Sequence, residues 1–284
     1  MMYIITADMH LMSRQPKCRA DDYHEAQVKM LEQLNAWQQE HQAKVIHAGD
    51  MFDKWDDYRA ALMFDGKMPK GMITIQGNHD VPNNNSEYRW SAWALMMKVT
   101  GMVNVPSFST FNKASGIAML HKLVFENEPP PYLHEADTAR KVITSAQQAY
   151  GDAVKLVVTG DNHSTFTHEH NGVLLINPGS PMRFNASQKN HKPCVFLYDG
   201  TKAEPLYFDI SKDIIDDTYL ERQKEVASQF ETFIDIADGN DNVAIDYDKN
   251  LDMALAQAPS EVVKYIKRKR KELKCPLPKQ SNKP

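Results

Sequence analysis

Short apolar runs, each closed by glycine or polar residues, recur through the first part of the chain. Tyr3-Ile4-Ile5-Thr6, Val45-Ile46-His47-Ala48 and Met72-Ile73-Thr74-Ile75 have the length of buried strands and stop at residues that punctuate strands. Between the first two, Asp21–Gln42 carries Val28, Leu31, Leu34 and Trp37 at helical spacing, with Asp21 or Asp22 placed to cap the helix. The pattern predicts further helices over Ser86–Val99 and Glu135–Tyr150. After Asp152 it becomes strand-rich: Val154–Thr159, Thr165–His168, Val173–Ile176, Cys194–Tyr198 and Glu204–Phe208. Alternating strands and helices followed by a strand-rich half predict two packed sheets flanked by helices. Pro129-Pro130-Pro131 breaks any regular element, so Glu126–His134 is expected to be an exposed loop near His121.

Composition changes after about Lys212. Residues 213–252 hold twelve Asp or Glu against three Lys or Arg, with Tyr219, Val226, Phe230, Phe233 and Ile234 at helical spacing. Residues 262–274 then carry seven Lys or Arg, and Pro276–Pro284 is polar, proline-bearing and expected to be disordered. This divides the chain into an α/β part, residues 1–210, and a helical appendage, residues 211–284. The basic segment offers Val262, Val263, Ile266 and Leu273 for an apolar stripe. Its composition suits a solvated helix face pairing with the acidic segment; docking a partner or tracking a phosphate backbone is the functional alternative.

The remaining composition excludes several classes. Charged residues at 25% and hydrophobic ones at 42% are ordinary for a globular protein. Cys18, Cys194 and Cys275 are odd in number, scattered and without a C-x-x-C, which argues against a disulfide framework or structural zinc and suits a reduced, cytoplasmic setting. No run approaches transmembrane length, and a leader cleaved from the N-terminus would take the first strand with it. A net charge of −4 does not mark a basic nucleic-acid binder, and it neither requires nor excludes DNA.

Candidate chemistry sits where apolar strands end. Five blocks qualify: Asp8-Met9-His10, Gly49-Asp50-Met51-Phe52-Asp53, Gly77-Asn78-His79-Asp80, His121, and Gly160-Asp161-Asn162-His163. Carboxylates, a neutral amide oxygen and imidazoles are the donors that hard or borderline divalent metals take. A hydrolytic two-metal site, with ions about 3.5–4 Å apart, needs such a set, including one carboxylate shared by both ions.

The order D-x-H, G-D-x-x-D, G-N-H-D, H, then G-x-x-H resembles the calcineurin-like metallophosphoesterases. That resemblance sharpens the expected fold to a four-layer α/β/β/α sandwich of two mixed sheets, with a pair of divalent metals at the strand ends. It implies that Asp8, His10, Asp50 and His163 hold one metal, while Asp50, Asn78 and His121 hold the other, Asp50 bridging. It also implies that His79 faces the scissile phosphate and protonates the leaving alkoxide, with Asp80 or another carboxylate orienting its ring. The family's usual last block is G-H-x-H; here Asp161 stands in place of the first histidine. Asp161 either ligates the second metal, favouring Mn²⁺ or Mg²⁺, or sits behind it while Asn162 or water fills the gap; direct ligation is the preferred reading. Asp53 either contacts substrate or a metal-bound water, or caps the next helix. His47, inside an apolar strand, reads as a core histidine. His24, His134, His168, His170 and His191 have only surface or supporting readings.

A sixth block, Asn177-Pro178-Gly179-Ser180-Pro181-Met182-Arg183, narrows the likeness. It is similar to the N/Y-P-G-S-x-x-R turn of phosphodiesterase members, notably the SbcD-like nuclease subunits of DNA-repair complexes, and most of all their compact phage-type versions. Ser180 and Arg183 are then candidates for binding a substrate phosphate, though Arg183 equally suits bracing the loop. The implied activity is Mn²⁺-dependent DNA exo- or endonuclease action in repair or recombination. The implied partners are DNA and an SbcC-like coiled-coil ATPase, with a homodimer left open. The alternative is a stand-alone phosphodiesterase or phosphatase acting on nucleotides or another small substrate, kept alive by the absence of a separate DNA-capping domain.

Overall fold

Alternation along β1 (Tyr3–Thr6) shows how the layers form. Ile4 enters one core with Val45, Leu31, Leu34, Phe64, Met72 and Trp93, whereas Ile5 enters another with Ile46, Ile75, Met119, Leu156 and Ile176. Successive side chains of a strand point to opposite faces, so this sheet is buried on both sides. The computed structural model describes residues 1–82, 88–100, 102–105, 107, 109–216, 218, 255 and 260–273.

The first sheet orders β13-β12-β1-β2-β3-β4, with β2 (Lys44–His47), β3 (Ile73–Ile75) and β4 (Val103–Val105) running parallel to β1. β12 (Cys194–Tyr198) and β13 (Ala203–Tyr207) extend it antiparallel. The second sheet orders β10-β11-β9-β6-β5. Its parallel centre is β6 (Ile117–His121), β9 (Leu156–Gly160) and β11 (Val173–Asn177), flanked antiparallel by β5 (Ser109–Asn112) and β10 (Phe166–His170). A small parallel pair joins β7 (Val124–Phe125) and β8 (Asp137–Thr138).

Helices cover both outer faces. Among them, α1 (Tyr23–Glu40), α2 (Tyr58–Met63) and α3 (Ala92–Thr100) share the first sheet's outer core, while α4 (Ala139–Tyr150) lays Val142, Ile143 and Ala146 against Ala118, Val157 and Leu175. The fold is therefore an α/β/β/α sandwich of two mixed sheets. Asp22, not Asp21, caps α1 by accepting the Glu25 N–H; Asp21 instead meets Arg19. Asp57 caps α2, so Asp53 does not. The predicted helix over Ser86–Val99 begins later as α3, with a short 3₁₀ turn at Tyr88–Trp90 before it; Ser86 lies outside the described residues.

Contacts divide the chain into Met1–Asp216 and Asp217–Pro284. Residues 211–216 pack within the first unit: the Ile214 carbonyl accepts the Ala20 N–H, and Asp213 pairs with Arg19 and Arg183. Most of the acidic 213–252 segment, including Tyr219, Val226, Phe230, Phe233 and Ile234, and all of Pro276–Pro284 lie outside the described residues. The second unit includes α5 (Ser260–Leu273), on which Val262 is buried and Lys264, Lys267 and Arg268 are exposed.

Candidate metal centre

The five blocks converge on one end of the two sheets because the parallel strands β1, β2, β3, β6 and β9 all deliver their C-terminal ends there. The turn after β1 is zipped to the turn after β2: Asp8 N–H donates to the Gly49 carbonyl at 3.0 Å, His10 N–H to Asp50 at 3.0 Å, and Leu11 N–H to Met51 at 2.8 Å. Four residues of these blocks have positive φ without being glycine: Asp8 (49°), His10 (44°), Asp50 (57°) and Asp161 (86°). Strained backbone of this kind concentrates where a side chain must be aimed. Gly77 is required by close approach, since a Cβ there would lie 2.0 Å from Asp50 Oδ1.

Asp50 is the hub. Its carboxylate belongs to two donor groups, one with His10 and His79, the other with Asp8 and His121, so Asp8, expected beside His10 and His163, gathers with His121 instead. Asp50 Oδ2 lies 3.6 Å from His10 Nε2 and 3.4 Å from His121 Nε2, while Oδ1 accepts the His79 backbone N–H at 2.9 Å. His163 Nε2 is 3.0 Å from His10 Nε2, and Asn78 Oδ1 is 2.8 Å from His121 Nε2. Asp8, His10 and Asp50 are fully enclosed and His121 nearly so, whereas His79 is exposed.

Supporting contacts fix the donor atoms. His121 Nδ1–H donates to the Ala48 carbonyl at 2.8 Å, which leaves Nε2 as the ligating nitrogen. His79 Nδ1–H similarly donates to the Asp53 carbonyl at 2.7 Å. Both Asp8 oxygens accept the Asp161 backbone N–H, at 2.9 and 3.1 Å.

Burial lowers His10 to about 3 and also lowers His163, keeping both imidazoles neutral, as ligation demands. Burial, reinforced by the nearby Asp50 charge, pushes Asp8 up to about 8. Asp50 itself is desolvated, yet His121 and His10 hold it well below the usual carboxylate range. Burial also opposes charge on His121, but Asp50 and Asp8 outweigh it and carry the ring up to about 10. The donors are buried oxygens and imidazole nitrogens converging from five turns, and they fit two divalent cations sharing Asp50.

Several candidate residues land elsewhere. Asp80 does not touch the His79 ring; its carboxylate clasps the backbone N–H groups of Gly77 (2.9 Å), Phe52 (3.1 Å) and Met51 (3.3 Å), tying two ligand turns together. Burial and Asp50 push Asp80 up to about 7, against those three donors. Arg183 is turned inward, bonded to Asp213 at 3.0 Å and to the Lys189 carbonyl at 3.1 Å, so it braces the loop and does not meet a phosphate. Ser180 is fully buried and its hydroxyl donates to the Met182 carbonyl, which removes it as a substrate contact. Asp53 pairs with Arg14 at 2.5 Å. The Asp161 carboxylate is half-buried and feels the charges of His121, Asp50 and His79, so it faces the centre without joining either of the two tightest donor groups. Asn162 is engaged by its own turn: its amide nitrogen donates to the Val124 carbonyl and its oxygen accepts the Ser164 N–H. His47 is a core histidine, 3.0 Å from the Thr74 hydroxyl.

Two supporting residues carried no readable signal of their own. Asn177, opening the sixth block, donates to the carbonyls of Asn162 (2.6 Å) and Ser164 (2.7 Å) and so fastens the His163 turn. Phe184 packs against both His10 and His163, with ring centroids 4.8 and 5.3 Å away.

A family model for the calcineurin-like phosphoesterase superfamily domain matches residues 1–200. The chain belongs to that superfamily. Similar solved structures include a novel archaeal phosphodiesterase, at 15% identity over 73% of this chain and all of that one, with a TM-score of 0.45. Vps29 from Entamoeba histolytica in complex with Zn²⁺ is 16% identical over 74% of this chain and all of that one, with a TM-score of 0.40. A conserved predicted phosphoesterase from Streptococcus pneumoniae is 12% identical over 75% of this chain and 91% of that one, with a TM-score of 0.41. No curated protein matches the sequence. Members of this superfamily use divalent metals, and the donor groups around Asp50 are this chain's candidate metal-binding residues. Among the described residues, no helix is long and apolar enough to cross a membrane.

Proposed function

We propose that the protein is a two-metal phosphodiester hydrolase acting on DNA, with Mn²⁺ as its working metal. The observation that supports this best is the shared Asp50, grouped with His10 and His79 on one side and with Asp8 and His121 on the other, His163 lying against His10 and Asn78 against His121. Bound dications would polarise a phosphoryl oxygen and lower the proton affinity of a water towards neutrality. The chain's residues supply the rest. The Asp50 carboxylate offsets repulsion between two cations, and the neutral Asn78 oxygen adds a donor without cancelling their charge. His79 is exposed beside this cluster, and because its Nδ1–H is spent on the Asp53 carbonyl, Nε2 is the nitrogen that holds and delivers a proton to a leaving alkoxide. The enclosure of Asp8, His10 and Asp50 keeps bulk water from competing for their donor atoms.

The DNA assignment draws on the N-P-G-S-P-M-R turn, which holds the His163 turn through Asn177 and Ser180 N–H to the His163 carbonyl (3.2 Å). In this reading the enzyme works in the cytoplasm with an SbcC-like coiled-coil ATPase in repair or recombination, and residues 217–284 dock that partner or DNA. Purified protein with Mn²⁺ should degrade labelled linear duplex or single-stranded DNA and also hydrolyse bis-(p-nitrophenyl) phosphate. Rapid hydrolysis of nucleotides with every DNA spared would replace this reading with a small-substrate phosphodiesterase.

A further inference from the structure

A depression of about 430 Å³ opens beside the centre, with Asn78 and His79 on one side and the turn Asp53-Lys54-Trp55-Asp56 on the other. That size lies within the range of small-ligand sites, about 300–1,000 Å³. Beyond Asp53, none of the motifs accounts for the far wall, which offers a half-exposed indole at Trp55 and an exposed ammonium at Lys54. The turn is braced: the Trp55 carbonyl accepts the Ala92 N–H at 2.6 Å, and the neighbouring Tyr58 hydroxyl donates to the Trp90 carbonyl. Arg14 offsets the Asp53 carboxylate at 2.5 Å, and Asp56 on the same wall is exposed to solvent that screens its charge.

We infer that this depression is a nucleobase subsite, in which Trp55 stacks one base next to the scissile phosphate and Lys54 meets an adjoining phosphate. The inference rests on the phosphodiesterase reading and names its substrate class. A phosphoryl group lying against Asn78 and His79 must send one of its substituents into this space. An indole presents a flat apolar face that any base can cover, and an ammonium beside it suits a sugar-phosphate chain. Stacking of this kind tolerates any sequence, since every base has a π-face. It selects nucleotidyl esters over esters that lack a base.

Two measurements test it. Thymidine 5′-(p-nitrophenyl phosphate) and methyl p-nitrophenyl phosphate are compared as substrates with Mn²⁺. Trp55→Ala should raise KM for the thymidine ester about 5- to 100-fold, the worth of one stacked base, and erase the preference for it, while Trp55→Phe should restore most of that preference. Separately, thymidine 5′-monophosphate should quench tryptophan fluorescence saturably where ribose 5-phosphate does not, and Trp55→Phe should lose that quench. An unchanged KM ratio in Trp55→Ala, or equal responses to the two monophosphates, overturns the subsite. If neither ester is hydrolysed with any divalent metal, the phosphodiesterase reading fails, and the fluorescence titration still decides the subsite by itself.

Discussion

The Asp50 carboxylate accepts the His79 backbone N–H, yet the two side chains are expected to fail differently when changed. Asp50→Ala removes the oxygen common to both donor groups, so bound metal and activity should vanish together. His79→Ala leaves the other donors in place; turnover should fall about 10²–10⁴-fold, the usual worth of an acid–base group, with metal content near that of the parent. Elemental analysis of dialysed protein beside kinetics separates the two, and a His79 variant that loses metal would make His79 a ligand. Protonation gives a second test. Asp8 at about 8 and His121 at about 10 both carry protons at pH 7, and cations must displace them. Groups raised in this way bind metal more tightly as pH rises towards those values, and loading should release about one to two protons. Calorimetry of Mn²⁺ binding in two buffers of different ionisation enthalpy counts them; no release would mean that the donors are already deprotonated.

At the scale of elements, turns do the positioning and loop braces hold the turns. Gly77→Ala would force a Cβ to within 2.0 Å of Asp50 Oδ1, so the β3 turn or the carboxylate must move. Metal affinity should drop sharply while the circular-dichroism spectrum stays that of the folded sandwich. Arg183 belongs to a different class. Its guanidinium shares Asp213 with the buried Arg19, and Asp213 pairs with both. Arg183→Ala should lower stability in urea by on the order of 3 kcal/mol, the scale of breaking a buried ion pair, rather than raise KM for a phosphodiester. A KM effect without a stability loss would return Arg183 to the substrate.

At the scale of the whole molecule, a chain ending at Asp216 keeps every donor residue, both sheets and the braces from residues 211–216. It should fold and hydrolyse bis-(p-nitrophenyl) phosphate at close to the full chain's rate. Loss of DNA processing or ATPase binding in that truncated protein would assign docking to residues 217–284. Normal DNA degradation together with retained ATPase binding would show that those residues are only structural.

What the sequence determined by itself was local. A short strand with an apolar centre followed closely by Asp8, or by Gly49-Asp50, is written in nearby positions, and period-2 burial on Ile4 and Ile5 follows from strand geometry alone. The set of donors, and hence a two-cation centre, could be read because chemistry restricts which residues bind hard metals. Tertiary structure decided which polar residues of the same blocks face the centre. Asp80 stands beside plausible ligands in sequence and Ser180 and Arg183 in a turn that resembles a phosphate-binding motif, yet backbone N–H groups, the Met182 carbonyl and Asp213 claim them. Those partners come from residues as much as 30 positions away for Arg183 and 29 for Asp80, beyond the reach of any local pattern. Phe184 and Asn177 became visible only once β11 and the His163 turn were packed together. A buried polar side chain takes whichever partner the packed backbone offers it, and that choice is made when the layers close.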